Sequence, residues 1–243
     1  MNKLLITCRT RQRGVGLIEV FIAITIGMFL LAGLFLLFSG MRGNYAAQNQ
    51  MAQLQDDERL AMNMLAAVVQ QAGYFPNPQV VTFFGAFPAD TTFIQSGQVV
   101  TGTTTVSLTD SFAVRYLVSP ASTATSDFIL DCTGLPNPST TGTAMLVNVF
   151  TVNASNELTC SVNGGATRSL VGGIASFSVL YGVDPDGNGS VNQYLPASSM
   201  TVALWPTVIS LRITVGFANP LAGQPGQAAT LPFTRVFSIM GKV

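Results

Sequence analysis

From residue 15 to residue 38 the chain is almost continuously apolar, and one carboxylate, Glu19, interrupts the run. A bilayer core takes about 20 consecutive apolar residues in helix, so this stretch is long enough to span one. An ionisable group inside a span costs about 2.5–3.5 kcal/mol on insertion scales, so Glu19 calls for a partner. Residues 44–72 contain neither Pro nor Gly and are rich in Ala, Gln, Met and Leu, all good helix formers. Leu54, Ala61, Leu65, Val68 and Ala72 recur at helical spacing, with Met51, Met64 and Val69 beside them. Gln53, Gln55, Asp56, Asp57 and Arg59 mostly take the other side. This predicts an amphipathic helix continuing the apolar one, capped at Gly73 and barred from resuming by Pro76 and Pro78. Gly27, Gly33, Gly40 and Gly43 either let that helix bend or let another helix approach closely.

After residue 78 the period changes from helical to two. Phe112, Val114, Tyr116 and Val118 alternate with Ala113, Arg115 and Leu117. The same alternation marks 176–183 and 210–217, and further strands are expected at 146–152, 157–162 and 233–240. Loops rich in Gly, Pro, Asn and Ser separate them, as at 135–142 and 218–227. Half-buried antiparallel strands need a cover for one face, and the amphipathic half-helix can supply it. The expected class is α+β, with a long N-terminal helix on an antiparallel sheet and no second globular domain.

The zero formal charge hides an asymmetry. Lys3, Arg9, Arg11 and Arg13 precede the apolar run, and seven basic against eleven acidic side chains follow. Basic residues before a span hold that end in the cytoplasm, so the remainder is expected outside it. The few scattered basic residues make no nucleic-acid-binding stripe. Catalysis has little to work with: His is absent, which excludes Ser-His and Cys-His nucleophile systems, and no enzymatic activity is expected. Asp56, Asp57 and Glu58 read as a solvated helix face with Arg59 as local partner, and Trp205 reads as core.

Three cysteines are present, and Cys8 lies in the basic leader. Cys132 and Cys160 remain as an even pair in a compartment that permits disulfides. Closing their loop stabilises a fold by about 3–4 kcal/mol in the chain-entropy model. Two free thiols or a metal pair are the other readings, although no His is available to complete a zinc site. One loop has cation-binding chemistry. Asp184, Asp186 and Asn188 put oxygens at positions one, three and five, with Gly189 at six, as in the first half of a Ca²⁺-binding EF-hand loop. Position twelve is Leu195 where that loop needs a bidentate Glu, so closure would fall to backbone carbonyls, Asn192 or water. The same residues equally form an Asx-rich turn without metal. No other cofactor is indicated.

Arg13-Gly14-Val15-Gly16-Leu17-Ile18-Glu19 resembles the N-terminal signal of type IV pilins and pseudopilins. Those proteins have a basic leader, Gly before the cut, a hydrophobic first mature residue and Glu at mature position five; Val15 stands where Phe is usual. Further blocks are similar to the PilW family of minor pilins: Asp57-Glu58-Arg59-Leu60-Ala61 with Gln71-Ala72-Gly73-Tyr74-Phe75, then 110–116, then 179–189. The resemblance implies the type IV pilin fold and cleavage between Gly14 and Val15 by a prepilin peptidase. It also implies N-methylation of Val15, and pairing of the Glu19 carboxylate with the new amine during assembly. The expected divisions are a leader at 1–14, a membrane and assembly half-helix at 15–38, an amphipathic half at 39–75 and a β-rich domain at 76–243.

The implied life of the protein is insertion in the bacterial inner membrane, then assembly into a surface pilus. Its implied partners are other minor and major pilins, bound through the helix, and a tip adhesin. The implied work is priming assembly near the fibre tip, in support of twitching motility, adhesion or DNA uptake. Other readings are a minor pseudopilin of type II secretion and a membrane-anchored adhesin that never polymerises. A secretory signal peptide fits poorly, because its apolar region is only about 7–15 residues and its cleavage site follows that region.

Overall fold

The computed structural model describes residues 14, 16–105, 109–120, 129–137, 139 and 141–242. The chain forms two compact units, Met1–Asn49 and Gln50–Val243. Helix α1 runs Leu17–Gln70 without interruption. Its apolar residues up to Phe38 are exposed on every side, Leu17 by 84% and Phe29 by 77%. The helix continues through Gly27, Gly33, Gly40 and Gly43, and no other described segment packs against these positions. Thr25, a polar residue in this run, donates its hydroxyl to the Phe21 carbonyl at 2.8 Å and so satisfies itself within the helix.

In the second unit α1 buries Leu54, Ala61, Met62, Leu65, Val68 and Val69. Ala72 just beyond the helix is buried as well, Met62 joins the expected stripe, and Met51 and Met64, expected beside it, are only half-buried. Gly73 follows the helix at φ +78°, a conformation that suits a residue without Cβ, and its N–H donates to the Arg115 carbonyl at 3.0 Å. The expected cap is therefore also the point where the helix end is tied to a strand.

Two antiparallel sheets, where one was expected, complete this unit. The first has the order β1-β2-β3-β4-β5, formed by β1 Val100–Thr103, β2 Ser111–Val118, β3 Ala144–Val152, β4 Leu158–Val162 and β5 Arg168–Val171. The second has the order β7-β6-β8-β9, formed by β6 Ile174–Val183, β7 Gln193–Pro196, β8 Val208–Ala218 and β9 Thr230–Ser238. A four-residue helix, α2 Phe83–Ala86, precedes β1 with Thr82 as its N-cap.

Phe177, Val179 and Tyr181 of β6 face Val215, Ile213 and Leu211 of β8 in register, and all six are buried. This pairs the two predicted inward faces and gives one core shared with α1 and the first sheet. Phe112 of β2 stacks on Phe150 of β3 at 5.0 Å and on Phe177 of β6 at 6.1 Å, so aromatic packing crosses from sheet to sheet. Asp110 adds a polar stitch. Its N–H donates to the Phe177 carbonyl at 2.8 Å, and its carboxylate accepts from the N–H of Val179 at 2.9 Å and of Thr105 at 3.2 Å. Trp205 is core as expected, 7% exposed and edge-on to Tyr181 at 4.9 Å.

Candidate functional site

Glu19 sits in the first turn of α1, where a carboxylate suits the positive end of the helix dipole. Its N–H donates to the Gly16 carbonyl at 3.0 Å, so helical bonding is in place from Gly16 onward. Gly14 is exposed, while Val15 lies outside the described residues. The stretch that follows makes α1 long and apolar enough to cross a membrane. Glu19 is the only carboxylate between residues 17 and 38.

Cys132 and Cys160 lie at disulfide distance, with Cα atoms 6.3 Å apart and a sequence separation of 28. Cys160 comes from β4, and the Cys132 N–H is held by the Asn148 side-chain oxygen at 2.8 Å. A bond here ties the loop before residue 137 to the first sheet.

Asp184, Asp186 and Asn188 fall in the loop from β6 to β7, and there each oxygen meets the loop's own N–H groups. The Asp184 carboxylate accepts from the N–H of Asn188 at 3.2 Å and of Gly189 at 2.8 Å. Asp186 accepts from the Asn188 amide at 2.9 Å, and Asn188 accepts from the Ser190 N–H at 2.8 Å. The Asn192 amide nitrogen donates to the Asp186 carboxylate at 3.3 Å. Leu195, the twelfth position, belongs to β7 and pairs with Tyr181. Among the described residues no three His, Cys, Asp or Glu side chains are grouped as metal ligands. This geometry accounts for the three residues as formers of an Asx-type turn.

Hydrogen bonding with Asp186, and then with the loop N–H groups, holds the Asp184 carboxyl below its usual range, against the opposing effect of burial. A carboxylate depressed in this way stabilises the fold above its unfolded pKa of about 3.9, and the contribution is lost as pH falls through the lower folded value. Asp184→Asn is therefore expected to lower the melting temperature at pH 7 and to flatten its fall below about pH 4. The drop at pH 7 should be equal in EDTA and in about 5 mM Ca²⁺, above the 10⁻⁴–10⁻³ M range of extracellular Ca²⁺ modules. A Ca²⁺-dependent melting temperature lost in the variant would instead favour the Ca²⁺ reading of Asp184, Asp186 and Asn188.

Two charged residues, Arg115 in the core and Glu58 half-buried, were not singled out as sites by sequence. Arg115 is 1% exposed. Its guanidinium donates to the Gln98 carbonyl at 2.7 Å, to Asp90 at 2.9 Å and to the Phe87 carbonyl at 3.3 Å. It also lies over the Phe93 ring at 4.4 Å. Burial pushes its pKa down and Asp90 pulls it up. Alternation placed Arg115 opposite the core, on a face expected to meet solvent. Segment 87–99 covers that face, so β2 is buried on both sides for most of its length. Glu58 is the second departure: it reaches Arg235 of β9 at 3.8 Å, a loose pair that adds little stability. The structure thus brings the loop oxygens into one turn and the cysteines into one pair, and it leaves Gly14 and Glu19 in the other unit.

No curated protein and no solved structure matches the chain. Residues 144–233, from β3 into β9, match the family model of Type IV Pilus-assembly protein W (PilW), and over that stretch the chain is similar to this family.

Proposed function

We propose that this chain is a minor pilin of a type IV pilus, a non-enzymatic subunit that helps to prime assembly near the fibre tip. The observation carrying this reading is the PilW match at 144–233, because it shares no residue with the signal at 13–19 and so supports the same family independently. In this reading residues 1–14 are removed, Val15 becomes the methylated N-terminus, and the apolar part of α1 crosses the inner membrane. That part then packs among the helices of other minor and major pilins. Its all-round apolar surface suits lipid before assembly and neighbouring helices afterwards, and its glycines permit close approach. The domain bearing the two sheets faces the periplasm and then the fibre surface, where the Cys132–Cys160 bond closes its loop and a tip adhesin can dock. Twitching motility, adhesion or DNA uptake would depend on the fibre it helps to start.

Mass spectrometry of the membrane-extracted protein should give an N-terminus at methylated Val15, and Gly14→Val should leave the leader attached. Fibres sheared from the cell surface should contain the mature chain. An intact leader on fibre-incorporated protein would defeat the pilin reading, and absence from fibres together with presence in a secretion complex would favour the pseudopilin.

A further inference from the structure

Beside the Asp184 turn lies an open groove of about 1000 Å³ whose two walls differ in chemistry. One wall is aromatic: Phe75, Phe83 and Phe84. The other is the turn itself, with Asp184 and Asp186, and Pro206 and Ile209 also line the groove. No Lys or Arg is among its described lining residues.

Both walls are held in place before anything binds. Phe83 packs edge-on to Phe75 at 6.1 Å and to Phe84 at 6.1 Å, and it lies 5.1 Å from Phe87, which is fully buried. Helix α2 is anchored by the Ser96 hydroxyl donating to the Phe84 carbonyl at 3.0 Å, and by the Gly97 N–H donating to the Phe87 carbonyl at 2.8 Å. Gly97 has φ +75°, and a Cβ there would stand 2.8 Å from the Phe84 ring, so glycine lets that ring lie flat against the backbone. Phe84 nevertheless remains 63% exposed, with Val80, Val81 and Ile94 also exposed nearby in the chain. A rigid, exposed aromatic at the lip of a preformed groove is the arrangement that anchors partners at low ordering cost.

We propose that this groove binds a peptide segment of a partner protein in which a Lys or Arg lies next to an apolar side chain. The apolar group would pack on the exposed Phe84 ring, and the cation would sit between that ring and the Asp186 carboxylate. Charge decides the occupant. An acidic segment would meet the Asp186 carboxylate with no Lys or Arg among the described lining residues, and a purely apolar one would leave Asp186 desolvated. This inference does not depend on whether the chain enters a fibre.

The test is fluorescence anisotropy with the full chain in detergent micelles, using a labelled acetyl-Leu-Arg-Phe-Lys-Leu amide and the same peptide with Glu at both basic positions. The basic peptide should bind and the acidic one should not, and binding should weaken with added salt. Phe84→Ala and Asp186→Asn, both at exposed side chains, should each weaken it about fivefold or more. Equal binding of the two peptides, binding indifferent to both substitutions, or no binding of the basic peptide at millimolar concentration would each overturn the proposal.

Discussion

Truncating Arg115 to Ala is expected to lower the melting temperature by about 6–12 °C, the largest stability loss of any single polar substitution in the domain. The guanidinium donates to three acceptors from three parts of the segment before β1, and it stacks on a ring as well. Its removal leaves the Gln98 and Phe87 carbonyls facing a void in a place water reaches poorly. Orphaned buried polar groups cost about 1–3 kcal/mol each, and breaking a buried charge network costs about 3–5 kcal/mol, so about 3 kcal/mol is a conservative figure here. Arg115→Lys should recover only part of it, because an ammonium cannot reach three separated acceptors in one plane. Asp90→Ala should cost much less, since Asp90 is 47% exposed and its charge is already largely solvated. Near-ultraviolet circular dichroism, which reports on Trp205 and the packed tyrosines, gives the melting curves. If Arg115→Ala proves no worse than Asp90→Ala, Arg115 is not the organising residue of this segment.

Glu19→Val is expected to leave membrane insertion intact and to reduce incorporation into surface fibres at least tenfold. The substitution removes the one charge in the apolar part of α1, so insertion should if anything improve. What it takes away is the anion that, in the proposed assembly, meets the amine of Val15 in a low-dielectric helix bundle. A bare ammonium there costs more than the about 1.4 kcal/mol that corresponds to a tenfold change. Glu19→Gln separates charge from shape and should fail in the same way. Immunoblots of sheared fibres against inner-membrane fractions supply the measurement, and normal incorporation of either variant would rule out the pairing.

Much of this architecture was legible in the chain because its determinants are local. An apolar run of span length, a helical stripe from Leu54 to Ala72 and period-two alternation over β2, β6 and β8 each show themselves within one unbroken stretch of chain. The two sheets were harder to foresee. Strands β1, β5 and β7 have four residues each, too few periods to stand out from a loop, and they are strands because a neighbouring strand offers them its edge. The turn at Asp184–Gly189 was visible as a set of oxygens. Whether those oxygens point at a cation or at their own N–H groups depends on backbone dihedrals that composition does not reveal.

Arg115 and the aromatic groove mark the boundary most clearly. Alternation says which residues of a strand share a face with Arg115, and nothing local says what will lie on that face. That is decided when segment 87–99 folds back over β2. The groove likewise joins Phe75, Phe83 and Phe84 to a turn about a hundred residues further along. The sequence by itself determined the periodicities, the cap at Gly73 and the residues of the N-terminal motif, because each depends on neighbours along the chain. The tertiary structure alone decided which polar residues are buried and which distant walls meet, because burial and proximity belong to contacts that only the folded chain makes.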